Sequence, residues 1–186
     1  PIVSLPPAVA FENGALVLLD QTRLPHEVRR DQYERAEDVA AAIRELRVRG
    51  APAIGIAAAW GTTLGLATSA DPRARFEQSA RLLREARPTA VNLMWAIDRM
   101  RLCADSTSDE NLVQALAAEA AAIHAEDRAA CRAIGEYGKS LISAHPCVLT
   151  HCNAGALAVS ERGTALAPIY AAHDDGVPVH VFVDET

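Results

Sequence analysis

The stretch Val148–Ala158, VLTHCNAGALA, decides how this chain is read. It opens as a short apolar strand, breaks at His151-Cys152-Asn153, and passes into Gly155 and a run of small residues. Downstream, GTALAPIYAAHDDG has the texture of a helical connection and VPVHVFVD that of a second strand. Strand, helix and strand in that order predict the start of a parallel sheet, with a right-handed crossover between the strands. Ligands of such sheets bind beyond the carboxyl ends of the strands, which is where Cys152 falls. The residues alone leave two readings of that cysteine open. It is either a small buried hydrophobe near a turn, or a thiol that the turn presents, with a helix N-terminus beside it to favour the thiolate.

Alternation puts Cys147, Leu149 and His151 on one strand face and Cys152 on the other parity. His145, Cys147, His151 and Cys152 lie close together, but their spacing does not match a zinc knuckle, so no metal is expected. A cysteine–histidine dyad would draw on His124, His173 or His180, and the spacing selects none of them.

Upstream the texture is helical. AVAFENGALVLLD, residues 8–20, predicts a hairpin turning at Asn13-Gly14, and QTRLPHEVRRDQYE follows as a polar connection with room for a third strand. Helices are expected over Ala36–Val48, from Pro52 through Thr68, over Phe76–Ala86, and through AVNLMWAIDRMRLCAD. A long alanine-rich helix from Asp109 to about Ser143 completes this part, with a bend expected at Gly135 or Gly138. A domain boundary is placed near residue 143, dividing the chain into 1–143 and 144–186. An open parallel sheet needs more than two strands, so the second part reads as stopping inside a domain.

The chain has 186 residues, half of them hydrophobic and only 4% aromatic, so its packing must rely on small aliphatic side chains. A formal net charge of −6 argues against a general nucleic-acid or anionic-membrane binder. Four cysteines without a CxxC pair, no leader and no long apolar span lead to the expectation of a reduced, cytoplasmic, soluble protein.

Two further segments carry chemistry. In RVRGAPAIG, Arg49 precedes Gly50, which permits an unusual turn, and Pro52 suits the first turn of a helix. The free N–H groups there and the Arg49 guanidinium can hold a phosphate, although a plain helical corner with a solvated arginine fits the same residues. In ARPTAVNLMWAIDRM, Arg87 precedes a helix start and Asn92 lies about one turn in, while Met94 and Trp95 are expected in the core.

Taken together, RVRGAPAIGIAAAWG, RPTAVNLMWAIDRM and VLTHCNAGALA…GTALAPIYAAHDDGVPVHVFVDET closely resemble the methylthioribose-1-phosphate isomerases. These are grouped with the regulatory subunits of translation initiation factor 2B and the ribose-1,5-bisphosphate isomerases. The resemblance implies an α/β protein: a small, mainly helical N-terminal domain with a short antiparallel sheet, then a Rossmann-like domain of which this chain holds the first strand–helix–strand, truncated. It implies aldose–ketose isomerisation of a phosphorylated pentose in methionine salvage, without cofactor, in a homodimer. By similarity Cys152 is catalytic, Arg49, Gly50, Ala51 and Arg87 bind substrate, and Asn92, Asn153 and Gly155 support them. The family's catalytic aspartate belongs to a later segment, beyond Thr186. The alternative is a regulatory subunit of the initiation-factor type that binds partners without catalysis.

Overall fold

The computed structural model describes residues 6–184. Strands β1 (Val9–Glu12) and β2 (Ala15–Leu19) form the expected hairpin. Asn13 and Gly14 both adopt positive φ, 52° and 81°, the type I′ geometry whose twist matches that of the flanking strands. The third strand forms as β3 (Arg30–Tyr33), antiparallel to β2, with Leu16 opposite Tyr33. All five residues of β2 are buried, which makes it the centre of the sheet.

Helix α1 (Ala36–Arg44) ends well before Val48. Leu46 fits the helical spacing, but it takes φ 60° and lies exposed, so it ends the helix. The Arg47 N–H donates back to the carbonyl of Ala42 at 2.9 Å, a C-terminal cap in which the left-handed residue is not glycine. Helix α2 (Ala51–Thr63) stops short of Thr68, and its residues from Ala53 to Thr62 are all buried. A helix this apolar on every side must be surrounded, and its alanines and glycines let neighbours come close. A Cβ on Gly61 would lie 3.0 Å from Leu83.

Helix α3 (Pro72–Arg84) begins before Phe76, because the Asp71 side chain accepts from the Ala74 N–H at 2.9 Å and Pro72 opens the first turn. Helix α4 is Val91–Asp105. Helix α5 (Leu112–Ala144) runs unbroken for 33 residues through Gly135 and Gly138. Those glycines admit a neighbour: a Cβ on Gly138 would meet Pro168 Cγ at 2.5 Å, and one on Gly135 would meet the Ala167 carbonyl oxygen at 3.2 Å. Both contacts belong to α6 (Ala167–Asp174), which packs along the last turns of α5.

Helix α6 joins β4 (Cys147–Thr150) to β5 (His180–Val183). The two strands are parallel, with Cys147 opposite His180 and Thr150 opposite Val183. Leu149, Phe182 and Val183 stay exposed on them. The main core joins the first sheet to α1–α5, and Phe11 stacks on Trp60 within it at 4.0 Å between ring centroids. A smaller cluster of Cys131, Ala158 and Val159 seats the loop after β4.

Candidate functional site

The loop from Cys152 to Leu166 packs against the turn that follows Arg49. It is not the helix start expected beside the thiol: the next helix begins only at Ala167. Instead the loop folds on itself. Gly155 and Gly163 form a bridge, and the Thr164 N–H donates to the carbonyl of Ala154 at 3.0 Å. Gly163 has φ 110°, and a Cβ there would lie 2.4 Å from that carbonyl, so only glycine fits the crossing.

Three anchors pin this loop to the helical part. The Ala53 N–H, in the first turn of α2, donates to the carbonyl of Ala158 at 3.0 Å. The Gln21 side-chain amide donates to the carbonyl of Leu157 at 2.7 Å. On α5, one carboxylate oxygen of Asp127 accepts from both the N–H and the hydroxyl of Ser160, at 2.9 and 2.5 Å. The closest approach is at Gly50, which has φ 96°: a Cβ there would lie 2.3 Å from Ala158 Cα. The turn before α2 and the loop after β4 are therefore in backbone contact.

Cys152 lies two residues past the end of β4, is exposed, and takes φ 71°. A non-glycine residue in the left-handed region costs on the order of 1–2 kcal/mol, and such strain gathers at sites where a side chain must be presented. The bland alternative of a buried thiol applies instead to Cys131, which is 2% exposed and whose thiol burial pushes up to about 11. Asn153 and Gly155, in the same loop, are half-buried.

Arg49 is exposed just before Gly50, and Ala51 opens α2 beside it. Arg87 is half-buried in the turn that leads into α4. Neighbouring arginines are committed to carboxylates: Arg47 to Asp31 and Glu45, Arg75 to Glu37, Arg84 to Asp98. Among the described residues Arg49 and Arg87 have no such partner, so both remain available to an anion. Asn92 sits in the first turn of α4, where its carbonyl oxygen occupies the space a Gly55 side chain would need, 2.9 Å from that Cβ. With Pro52, Ile56, Trp95 and Ile123 it lines a cavity of about 240 Å³. A larger cavity of about 830 Å³ lies between α5 and α6, but its arginines are spent, Arg132 on Glu161 and Arg162 on Asp174.

Trp95 departs from expectation. It is half-exposed rather than core, with the Arg99 guanidinium 5.5 Å from its ring, held there by Glu119 and Glu126. Met94 is half-buried, and the core contact falls to Leu93. Of the three histidines considered for a dyad, His124 is buried and accepts from the Trp60 indole N–H at 3.3 Å. Its burial, reinforced by nearby Arg128, lowers its pKa to about 4. His173 is exposed at the end of α6, and His180 starts β5, at the opposite end of the parallel pair from Cys152. Among the described residues, the histidine that meets a carboxylate is His151, whose Nδ1 lies 3.2 Å from Asp184 Oδ2. Neither this pair nor the Asp127 and Gln21 anchors leave a signal in sequence spacing, because each joins distant segments.

Residues 47–186 match the initiation factor 2 subunit family. The chain is 49% identical over 183 residues to a methylthioribose-1-phosphate isomerase of Methylorubrum extorquens, covering 94% of this chain and 50% of that protein. Among solved structures it superposes on 5-methylthioribose 1-phosphate isomerase from Pyrococcus horikoshii with a TM-score of 0.89 at 30% identity, covering 97% of this chain and 60% of that one. It superposes on the delta subunit of translation initiation factor eIF-2B from A. fulgidus with a TM-score of 0.87 at 36% identity, covering 98% and 55%. The chain spans about half the length of the curated relatives it matches. On the family match and the shared fold, this chain belongs to the initiation factor 2 subunit family.

Proposed function

We propose that this chain supplies the cysteine-bearing part of an aldose–ketose isomerase site, acting on 5-methylthioribose 1-phosphate to give 5-methylthioribulose 1-phosphate. The observation that carries the reading is the backbone contact between Gly50 and Ala158, which ties the Arg49 turn to the loop that presents Cys152. The unpaired Arg49 and Arg87 guanidiniums suit the phosphate, and the backbone at Gly50 and Ala51 suits close approach of the sugar. Asn92, Asn153 and Gly155 support that arrangement. Cys152 is the group placed at the reacting carbons. Phosphate on the anomeric oxygen blocks ordinary ring opening, so an acid must assist, and hydrogen then moves from C2 to C1.

The relatives' names favour a small-molecule substrate over nucleic acid, and no helix among the described residues is long and apolar enough to cross a membrane. A cytoplasmic homodimer, with a Rossmann-like domain starting near residue 144, completes the proposal.

The test is protection of Cys152. Alkylation of Cys152, followed by peptide mass spectrometry, is expected to slow at least several-fold when 5-methylthioribose 1-phosphate is added. Arg49→Ala should remove the protection by weakening sugar-phosphate binding, and Cys152→Ser should abolish isomerisation while leaving the circular dichroism spectrum unchanged. The second reading is a non-catalytic regulatory subunit, favoured by the likeness to the eIF-2B delta subunit. No protection and no sugar-phosphate binding would move the assignment there.

A further inference from the structure

His151 and Asp184 extend the two parallel strands by one residue each, beyond the paired Thr150 and Val183. The Asp184 N–H donates to the carbonyl of Thr150 at 3.2 Å, which holds the two strand ends side by side. The side chains then meet, His151 Nδ1 to Asp184 Oδ2 at 3.2 Å. An ionised carboxylate only accepts hydrogen bonds, so the proton in this contact belongs to Nδ1. In neutral imidazole the other nitrogen must then carry a lone pair, because the bond made by one nitrogen sets the role of its partner. The His151 side chain is 71% exposed, so Nε2 is not consumed by packing. It stands at the carboxyl ends of the strands, next in sequence to the strained Cys152.

We propose that His151 is a further proton-accepting residue of this site and that Asp184 is its positioning residue, fixing the tautomer in which Nε2 is a base. The proposal rests on the isomerase reading for its substrate. When the C2 carbinol of the sugar becomes a carbonyl, the C1–ring-oxygen bond breaks and the ring oxygen keeps that electron pair and takes a proton from the assisting acid. The hydrogen on C2 moves to C1 with its own electron pair, and the C2 hydroxyl must lose its proton. Nε2 takes that hydroxyl proton, the O–H bond breaking as the N–H bond forms. The resulting imidazolium is stabilised by the Asp184 carboxylate and releases the proton to solvent before the next cycle, balancing the proton the acid regains.

Two measurements test this. In the ¹⁵N spectrum of the chain, neutral His151 is expected as the Nδ1–H tautomer, and Asp184→Asn should shift it toward the Nε2–H form that free imidazole prefers. A wild-type Nε2–H tautomer overturns the proposal whatever the substrate is. The second measurement compares His151→Gln with His151→Ala in the active isomerase. Glutamine can still donate to Asp184 and clasp the strands, but it cannot take a proton. Both variants should therefore lose roughly 100-fold or more in kcat, the scale of a lost general base, with little change in KM. Glutamine restoring kcat to within about threefold of wild type, a discrimination well inside that scale, would show a structural clasp only and overturn the proposal. If the sugar phosphate neither binds nor turns over in wild type, the isomerase reading fails, and the ¹⁵N tautomer still decides the His151–Asp184 assignment.

Discussion

Replacing Gly50 with alanine tests the contact on which the site is built. Gly50 has φ 96°, and a Cβ there would lie 2.3 Å from Ala158 Cα and 2.6 Å from both its Cβ and its carbonyl oxygen. Ordinary carbon contacts lie near 3.5–4.0 Å, so the loop must retreat by more than an ångström. That movement breaks the bond from the Ala53 N–H to Ala158, worth about 1 kcal/mol net. It also opens the small cluster around Ala158 and Val159, where each methyl or methylene returned to water costs about 0.8 kcal/mol. At φ 96° and ψ 135° Gly50 also lies outside the left-handed helical well, where a side chain adds strain of about 1–3 kcal/mol. Gly14 provides the control, since it has φ 81° but a Cβ there would meet nothing within 4 Å, leaving only the strain of about 1–2 kcal/mol. Urea denaturation should therefore show Gly50→Ala less stable than Gly14→Ala by at least about 2 kcal/mol, the sum of the lost bond and part of the cluster. Limited proteolysis should cut the Cys152–Leu166 loop faster in Gly50→Ala alone. Equal stabilities within about 0.5 kcal/mol, the range of an ordinary surface change, and equal cleavage would refute the claim that this contact holds the loop.

Gly138→Ala should separate α6 from α5, because its Cβ would meet Pro168 Cγ at 2.5 Å; a loss of about 1–3 kcal/mol, the overpacking range, is expected in the same assay. His124 should make the chain acid-sensitive. Its folded pKa of about 4 lies below the ordinary 6.5, so the unfolded chain binds the proton first as pH falls. The stability of the neutral buried ring is complete above pH 6.5 and declines toward pH 4, by on the order of 3 kcal/mol in total. His124→Gln should flatten that decline as measured by denaturation between pH 4 and 7, and an unchanged slope would reject the assignment. Iodoacetamide at pH 8 should label exposed Cys147 and Cys152 in the folded chain and spare buried Cys131 until denaturant is added. Early labelling of Cys131 would show that the loop cluster is open in solution.

Local chemistry in the sequence accounts for much of the fold. Asn13-Gly14 specifies a hairpin because few other pairs tolerate two positive φ values, and the apolar spacing of α1, α4 and α5 marks helices wherever one face is buried. The errors fall where a local pattern continued past the point at which the chain turned. Leu46 kept helical spacing while adopting the left-handed conformation that ends α1. The apolar pattern that begins at Phe76 conceals the Asp71-Pro72 start of α3, and Trp95, a residue type expected in the core, is turned outward by α4. Gly135 and Gly138 suggested a bend, yet their missing side chains make room for α6.

By itself the sequence determined the element types, the strand–helix–strand order after residue 146, and which segments carry Arg49, Arg87 and Cys152. These follow from periodicity, turn chemistry and motif spacing, all of which act over a few residues. Tertiary structure alone decided that Gly50 touches Ala158, that Asp127 and Gln21 anchor the loop, and that His151 faces Asp184. It also decided that no helix begins beside Cys152 and that the thiol is presented by a strained turn instead. Such contacts join residues far apart in the chain, and their partners become visible only when the core has closed and fixed the distances between them.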